Sequence, residues 1–171
     1  MNRLILMCGY PFSGKTVLAK KLVDKFGFER VDIDEIIVGH GFISFDDPKI
    51  SKERMKEMFG EYYKTIENCL KSGKTVISDT SNPSRSGRAY LRRIAEKYGC
   101  STVVLLIDTS VSTIKERWNR NKSEGVRMHI SEKTLEEAFL EMEKPDESEG
   151  VVVYKGNLLI DEWIELNKNL F

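Results

Sequence analysis

Residues 9–16 read Gly-Tyr-Pro-Phe-Ser-Gly-Lys-Thr and match G-x-x-x-x-G-K-[ST] at every fixed position. The chemistry this spacing serves is the holding of phosphates. Gly9 and Gly14 let the backbone turn tightly and approach a ligand closely. A helix beginning at such a loop offers unpaired N–H groups and a positive dipole end to an anion. Lys15 can reach the β- and γ-phosphates of a nucleotide, and the Thr16 hydroxyl can ligate Mg2+. Pro11, Ser13 and Val17 lie in or directly against the loop, and they join Gly9, Gly14, Lys15 and Thr16 as candidates for nucleotide binding. Such a loop fixes a nucleoside triphosphate and Mg2+ as the ligands but does not fix a reaction.

The reaction has to come from other groups. A phosphotransferase positions an acceptor hydroxyl and removes its proton, a task suited to an aspartate near the γ-phosphate. Residues 31–36 (VDIDEI) offer Asp32, Asp34 and Glu35, with Asp34 the candidate base. Asp32 is equally acidic, and strand alternation would put both on one side; Asp34 could otherwise cap a helix. Residues 77–85 (ISDTSNPSR) offer Asp79, a candidate for the magnesium shell and for holding the acceptor, unless it only shapes a turn. The transferred group gathers negative charge that needs cations. Arg117, Arg120 and Arg127 flank a polar loop containing Gly125, and a lid over about 119–130 would bring Arg120 and Arg127 onto that group. Arg85 and Arg88 open a basic helical stretch and are candidates for holding an acidic substrate; Arg92, Arg93 and Lys97 read as a solvated face. His40 and His129 are too few and too far apart for a metal site and read as surface residues, whereas Trp118 and Trp163 read as core.

These residues need a scaffold that gathers them at one edge. Apolar runs and helical patterns alternate along the chain. The runs Arg3–Cys8, Phe28–Ile33, Lys74–Ser78, Thr102–Ile107 and Val151–Tyr154 read as five strands. Between them, helical spacing is expected over Lys15–Phe26, from Met55 to Leu70, over Ser84–Tyr98, Ser112–Asn121, from Ser131 to Met142, and finally over Leu159–Leu170. Residues 38–50 follow neither period, and residues 122–129 read as a polar loop. Strands alternating with helices imply an α/β fold with a mostly parallel sheet and right-handed crossovers. In such sheets ligands bind at the carboxyl ends of the strands, where the phosphate loop, Asp34 and Asp79 all fall.

Composition sets outer bounds. The chain of 171 residues is 40% hydrophobic and 32% charged, the profile of one ordinary globular domain, taken here as residues 1–171. Formal net charge is zero, so no global field draws it toward nucleic acid or membrane. Its three cysteines are scattered, which argues against disulfides and zinc. No apolar run approaches the ~20 residues of a membrane span, so a cytoplasmic location is expected, without membrane and with no required protein partner. The stretch Asn121–Glu124 (NKSE) imitates the guanine reader of GTPases, but it follows a helix and carries Glu124 in place of aspartate. A GTPase switch loses weight accordingly, and a mechanical ATPase would need partner modules.

Three features taken together resemble the 5′-hydroxyl polynucleotide kinase domain. They are G-x-P-x-S-G-K-[ST] at Gly9–Thr16, an aspartate ending strand two, and SDT…NP…R after strand three. That domain belongs to a wider group of small P-loop kinases that includes zeta toxins and the kinase of seryl-tRNA. The likeness runs from about residue 3 to about residue 143. It implies the P-loop NTPase fold with sheet order 2-3-1-4-5 and ATP-dependent transfer to a hydroxyl. It also implies Asp34 as general base, Lys15 and Thr16 on phosphates and Mg2+, and lid arginines at the transferred group. The acceptor implied is a nucleic-acid 5′-hydroxyl end, with a nucleotide or small-metabolite hydroxyl as the alternative that the even charge balance and the departures below leave open. Two positions depart from the group's pattern: Ile37 stands where an arginine follows the base, and Glu124 stands where an arginine precedes the lid glycine. Those departures keep a second class open, a non-catalytic ATP-binding regulatory protein of the same fold.

Overall fold

The computed structural model describes residues 2–125 and 128–171. In chain order the elements are β1 (Arg3–Cys8), α1 (Lys15–Phe26), β2 (Glu29–Asp32), α2 (Ile33–Gly39), α3 (Lys52–Lys71), β3 (Val76–Asp79), α4 (Arg85–Lys97), β4 (Ser101–Ile107), α5 (Val111–Glu124), α6 (Glu132–Glu141), β5 (Val151–Tyr154) and α7 (Ile160–Leu166). The strands form one five-stranded sheet of order β2-β3-β1-β4-β5. Every pairing is parallel: β1 runs between β3 and β4, with Leu4 opposite Val76 and Thr102.

The continuous apolar run of β1 follows from its central position, since a parallel strand with helices on both faces has no wet side. Alternation divides its side chains between two cores. Leu4, Leu6 and Cys8 face α3 and α4, where Met58, Tyr62, Ile66, Leu70, Leu91 and Ala95 are buried. Ile5 and Met7 face α1 and α7, against Leu18, Leu22, Trp163 and Ile164. Each such side chain, fully buried, contributes roughly 1.5–3 kcal/mol. A third, smaller cluster joins Phe12 of the phosphate loop to Ile114, Trp118, Ile130 and Leu135. It packs α5 and α6 against the loop. Among the described residues, no helix is long and apolar enough to cross a membrane.

Two expectations about the elements change. The second strand does not continue through Ile33. The Asp32 carboxylate accepts a hydrogen bond from the Asp34 amide at 2.8 Å and caps α2, so the chain turns into a helix there. Helix α5 runs on through Glu124, beyond the expected end at Asn121, and Gly125 closes it.

Candidate active site

The loop after β1 is shaped by contacts that leave little freedom. Gly9 has φ 142°, and a Cβ there would lie 2.9 Å from the Ile107 carbonyl oxygen. Gly14 has φ 109° and starts α1. Both conformations are open mainly to glycine. Phe12 also adopts a positive φ, of 63°, and its ring is held in the third cluster. The Arg117 guanidinium donates to the carbonyls of Phe12 (3.1 Å) and Ser13 (2.9 Å), and the Thr109 hydroxyl donates to the Ser13 carbonyl at 2.8 Å. Lys15 is buried, with its ammonium donating to the carbonyls of Gly9 (2.9 Å) and Tyr10 (2.7 Å).

One atom in this loop stands out chemically. The Ser13 hydroxyl is buried and has no hydrogen-bond partner among the described residues. Native interiors rarely leave such a group unmatched. Here it lies in a turn whose backbone is fixed from outside, at a helix start, beside a buried lysine. These residues fit a nucleotide phosphate, which would supply the missing acceptor.

The carboxylates gather at the ends of β2 and β3. Asp79 is nearly completely buried, and one of its oxygens accepts from the Thr16 hydroxyl at 3.4 Å. Its other oxygen accepts from Arg30 at 2.8 Å, and the same guanidinium bonds Asp32 and Glu35. Burial pushes the Asp79 pKa up, Asp32's negative charge adds to this, and Arg30 and Lys15 pull it back. The Thr16–Asp79 pair beside the phosphate loop is a donor set that suits a hard cation such as Mg2+.

A cavity of about 460 Å³ opens beyond this cluster, and Pro11, Lys15, Thr16, Asp32, Asp34 and Asp79 all reach its wall. The fold therefore brings the phosphate loop and three predicted aspartates around one chamber. Asp34 sits in the first turn of α2, half-buried, and the helix cap is Asp32. Loop glycines Gly9 and Gly14 shape the turn, whereas Val17 is 56% exposed on α1 and does not line the chamber.

The arginines are placed differently from expectation. Arg88, expected at an acidic substrate, is fully buried. Its guanidinium grips both oxygens of Glu149 at 2.8 Å and donates to the carbonyls of Asn82 and Pro83. It has no face left for a ligand. Arg85 is exposed and pairs with Asp146 at 3.0 Å, away from the chamber wall. Arg120 is exposed on α5 and pairs with Glu116 at 2.7 Å, one turn back. Arg127 lies outside the described residues. His129, read as a surface residue, is half-buried and stacks on Trp118 with ring centroids 5.2 Å apart. Asn121 of the NKSE stretch is buried, with its side-chain amide 3.5 Å from the His129 ring.

Sequence reasoning missed three contributors. Arg30 could have been found, because it lies two residues before Asp32 on a strand and so shares its face. Asn82 has φ 43°, and its amide donates to the Met7 carbonyl (2.7 Å) and the Ser78 hydroxyl (3.2 Å), binding the loop after β3 to the end of β1. Asp46 accepts from the Ser131 amide and the Thr134 hydroxyl, both at 2.7 Å, and so ties the segment before α3 to the start of α6. Nothing local announces a contact over 85 residues.

Known proteins agree with this geometry. Residues 4–145 match the P-loop family described as AAA domain. The chain is 25% identical over 142 residues to shikimate kinase of Persephonella marina, covering 83% of this chain and 82% of that one. It is 22% identical over 145 residues to the KTI12 homolog of Arabidopsis thaliana, covering 84% of this chain but only 48% of that protein. Among solved structures, Chaetomium thermophilum Kti12 in complex with ADP-AlF3 superposes with a TM-score of 0.78 over 98% of this chain and 96% of that one, at 18% identity. With its phosphate loop, all-parallel 2-3-1-4-5 sheet and flanking helices, the chain belongs to the AAA domain family, in the kinase-like form of the P-loop fold.

Proposed function

We propose that the protein is an ATP-dependent kinase that transfers the γ-phosphate to an alcohol hydroxyl, on a nucleic-acid end, a nucleotide or a small metabolite. The observation that carries this reading is the shared chamber: Lys15 and Thr16 stand on its wall together with Asp34. A protein that only bound nucleotide would have no need of a carboxylate such as Asp34 on the wall of the chamber its phosphate loop lines.

Lys15 and Thr16 would hold the phosphates, with the loop amides between Gly9 and Thr16 and the Ser13 hydroxyl completing the cradle. Thr16 and Asp79 would hold Mg2+, which when bound neutralises charge on the phosphates. Asp34 accepts the acceptor's hydroxyl proton as its oxygen bonds to the γ-phosphorus. The bond from that phosphorus to the bridging β–γ oxygen breaks, and ADP leaves. A lid over about 119–130, with Arg120 and Arg127 moving onto the transferred group, would exclude water. Phe12, packed against Trp118 and Ile130, couples that segment to the loop it would cover.

Shikimate kinase supports the kinase reading as a relative that is similar along most of both chains. One observation favours the regulatory alternative: Ile37 is fully buried in the core, so the arginine of the polynucleotide kinases has no counterpart on α2. Transfer of label from γ-labelled ATP to a panel of alcohols, including 5′-hydroxyl DNA and RNA, nucleosides and sugars, decides between them. A kinase labels at least one acceptor. Asp34→Asn then lowers transfer by roughly 10²–10⁴ with ATP affinity kept, and Lys15→Ala weakens nucleotide binding or abolishes turnover. ATP binding with no labelled acceptor from any class would establish the regulatory reading.

A further inference from the structure

The chamber's far wall has a consistent chemistry. Phe45, Phe59, Tyr62 and Tyr63 form one side, packed against each other with ring centroids 5.6–6.4 Å apart. The Tyr62 hydroxyl is taken up by Ser78 at 2.6 Å, so this residue offers the chamber only its ring. The opposite side comes from α6, where Glu137 and Glu141 stand one turn apart on the chamber wall. Among the described residues, Lys15 is the one basic side chain on the lining, and it belongs to the phosphate loop. Among the described residues, the arginines nearest in sequence to the chamber are engaged elsewhere, Arg88 with Glu149, Arg85 with Asp146 and Arg30 with Asp32 and Asp79.

Among the described residues, an acceptor carrying a carboxylate or phosphate would meet no basic side chain on this wall beyond Lys15, and would face Glu141 and Glu137, the latter 3.7 Å from the exposed Lys133 ammonium. Like charges brought together in a partly desolvated site oppose binding. A flat apolar body would find aromatic faces, and an ammonium group would find both carboxylates and ring quadrupoles. We infer that the acceptor is an uncharged or cationic alcohol with an aromatic or apolar body, and that anionic alcohols are rejected by Glu137 and Glu141. This rests on the reading of the chamber as the acceptor compartment of a kinase.

Three alcohols of one shape test it: 2-amino-1-phenylethanol (cation), 1-phenylethane-1,2-diol (neutral) and mandelate (anion). Their affinities are measured on the full chain with Mg2+ and a non-hydrolysable ATP analogue. The ammonium alcohol and the diol are expected to bind at least about fivefold more tightly than mandelate, the size of one half-exposed charge contact. The Glu137→Gln/Glu141→Gln double variant, altered only at exposed positions, is expected to shrink that ratio by a similar factor. Mandelate binding as tightly as the ammonium alcohol, a ratio unmoved by the double variant, or no binding of any of the three while the nucleotide binds would each overturn the inference. The two readings fail separately. A protein that transfers phosphate but prefers mandelate keeps the kinase assignment and loses this one. A protein that prefers the ammonium alcohol but transfers nothing keeps the chamber's charge preference and loses the kinase, and with it the alcohol's role as acceptor.

Discussion

Arg30 holds together carboxylates that would otherwise repel. Its guanidinium reaches Asp32, Glu35 and Asp79, while Asp79 is nearly completely buried and its pKa is raised by that burial and by Asp32's charge. Arg30 is therefore a positioning residue: it favours the ionised form of Asp79 and holds the carboxylate beside Thr16. Removing it withdraws the main stabilisation of the ionised form, so the Asp79 pKa must rise further. On the proposed magnesium role of Asp79, the acid limb of Mg-ATP binding would then move to higher pH. Arg30→Met is expected to displace that limb upward in pH. Arg30→Lys restores the charge but not the fork that spans three carboxylates, and should recover only part of it. A pH profile that keeps its limb in Arg30→Met while affinity falls equally at all pH values would leave Arg30 a merely structural role.

At the scale of elements, the chamber closes because segments distant in sequence are clasped. Burial pushes the Asp46 pKa up, but the Ser131 amide and the Thr134 and Ser131 hydroxyls outweigh it and hold it down at about 2. The folded value lies below the ordinary 3.8, so the clasp's contribution is complete above about pH 4 and is lost as pH falls toward 2. Asp46→Asn should cost about 1 kcal/mol at pH 7 and almost nothing near pH 2. Urea titrations of the two proteins at both pH values measure this, and an equal difference at each would show that the carboxylate charge is irrelevant to the clasp. The same comparison explains what could be read from sequence. Helix α3 announced itself through Met58, Tyr62, Ile66 and Leu70, a stripe that local periodicity must produce when one face is buried. Helix α2 did not, because Ile33 prolongs the alternation of the second strand and residues 34–39 are too few to show a helical period before the Asp32 cap is seen. The phosphate loop was legible because backbone geometry at Gly9 and Gly14 is written in residue type. Arg88 was not, because its partner Glu149 is 61 residues away and charge in sequence says nothing of burial.

For the whole molecule, the Arg88–Glu149 pair is the point where the site and the sheet's far edge meet. The pair is buried on both sides, and its guanidinium also holds the Asn82 and Pro83 carbonyls at 2.9 and 3.0 Å. Glu149 immediately precedes Gly150 and β5, the last strand of the sheet. The pair thus fixes the cavity-lining turn at Asn82 and Pro83 relative to an edge strand two positions away from β1. Desolvation offsets much of the Coulomb attraction of such a pair, so its presence alone stabilises little. Breaking it is another matter. Arg88→Met strands a buried carboxylate and should cost about 3–5 kcal/mol. Arg88→Met/Glu149→Leu removes both charges and should regain much of that loss, a recovery that a double-mutant cycle by denaturant unfolding would quantify. The turn at Asn82 and Pro83 loses its anchor in either variant. The double variant should therefore approach the parent in stability yet bind acceptor and nucleotide more weakly. If it regained stability and bound both as tightly as the parent, the pair would serve only folding, and the coupling between chamber and sheet edge would have to run through Asn82 and its bonds to Met7 and Ser78.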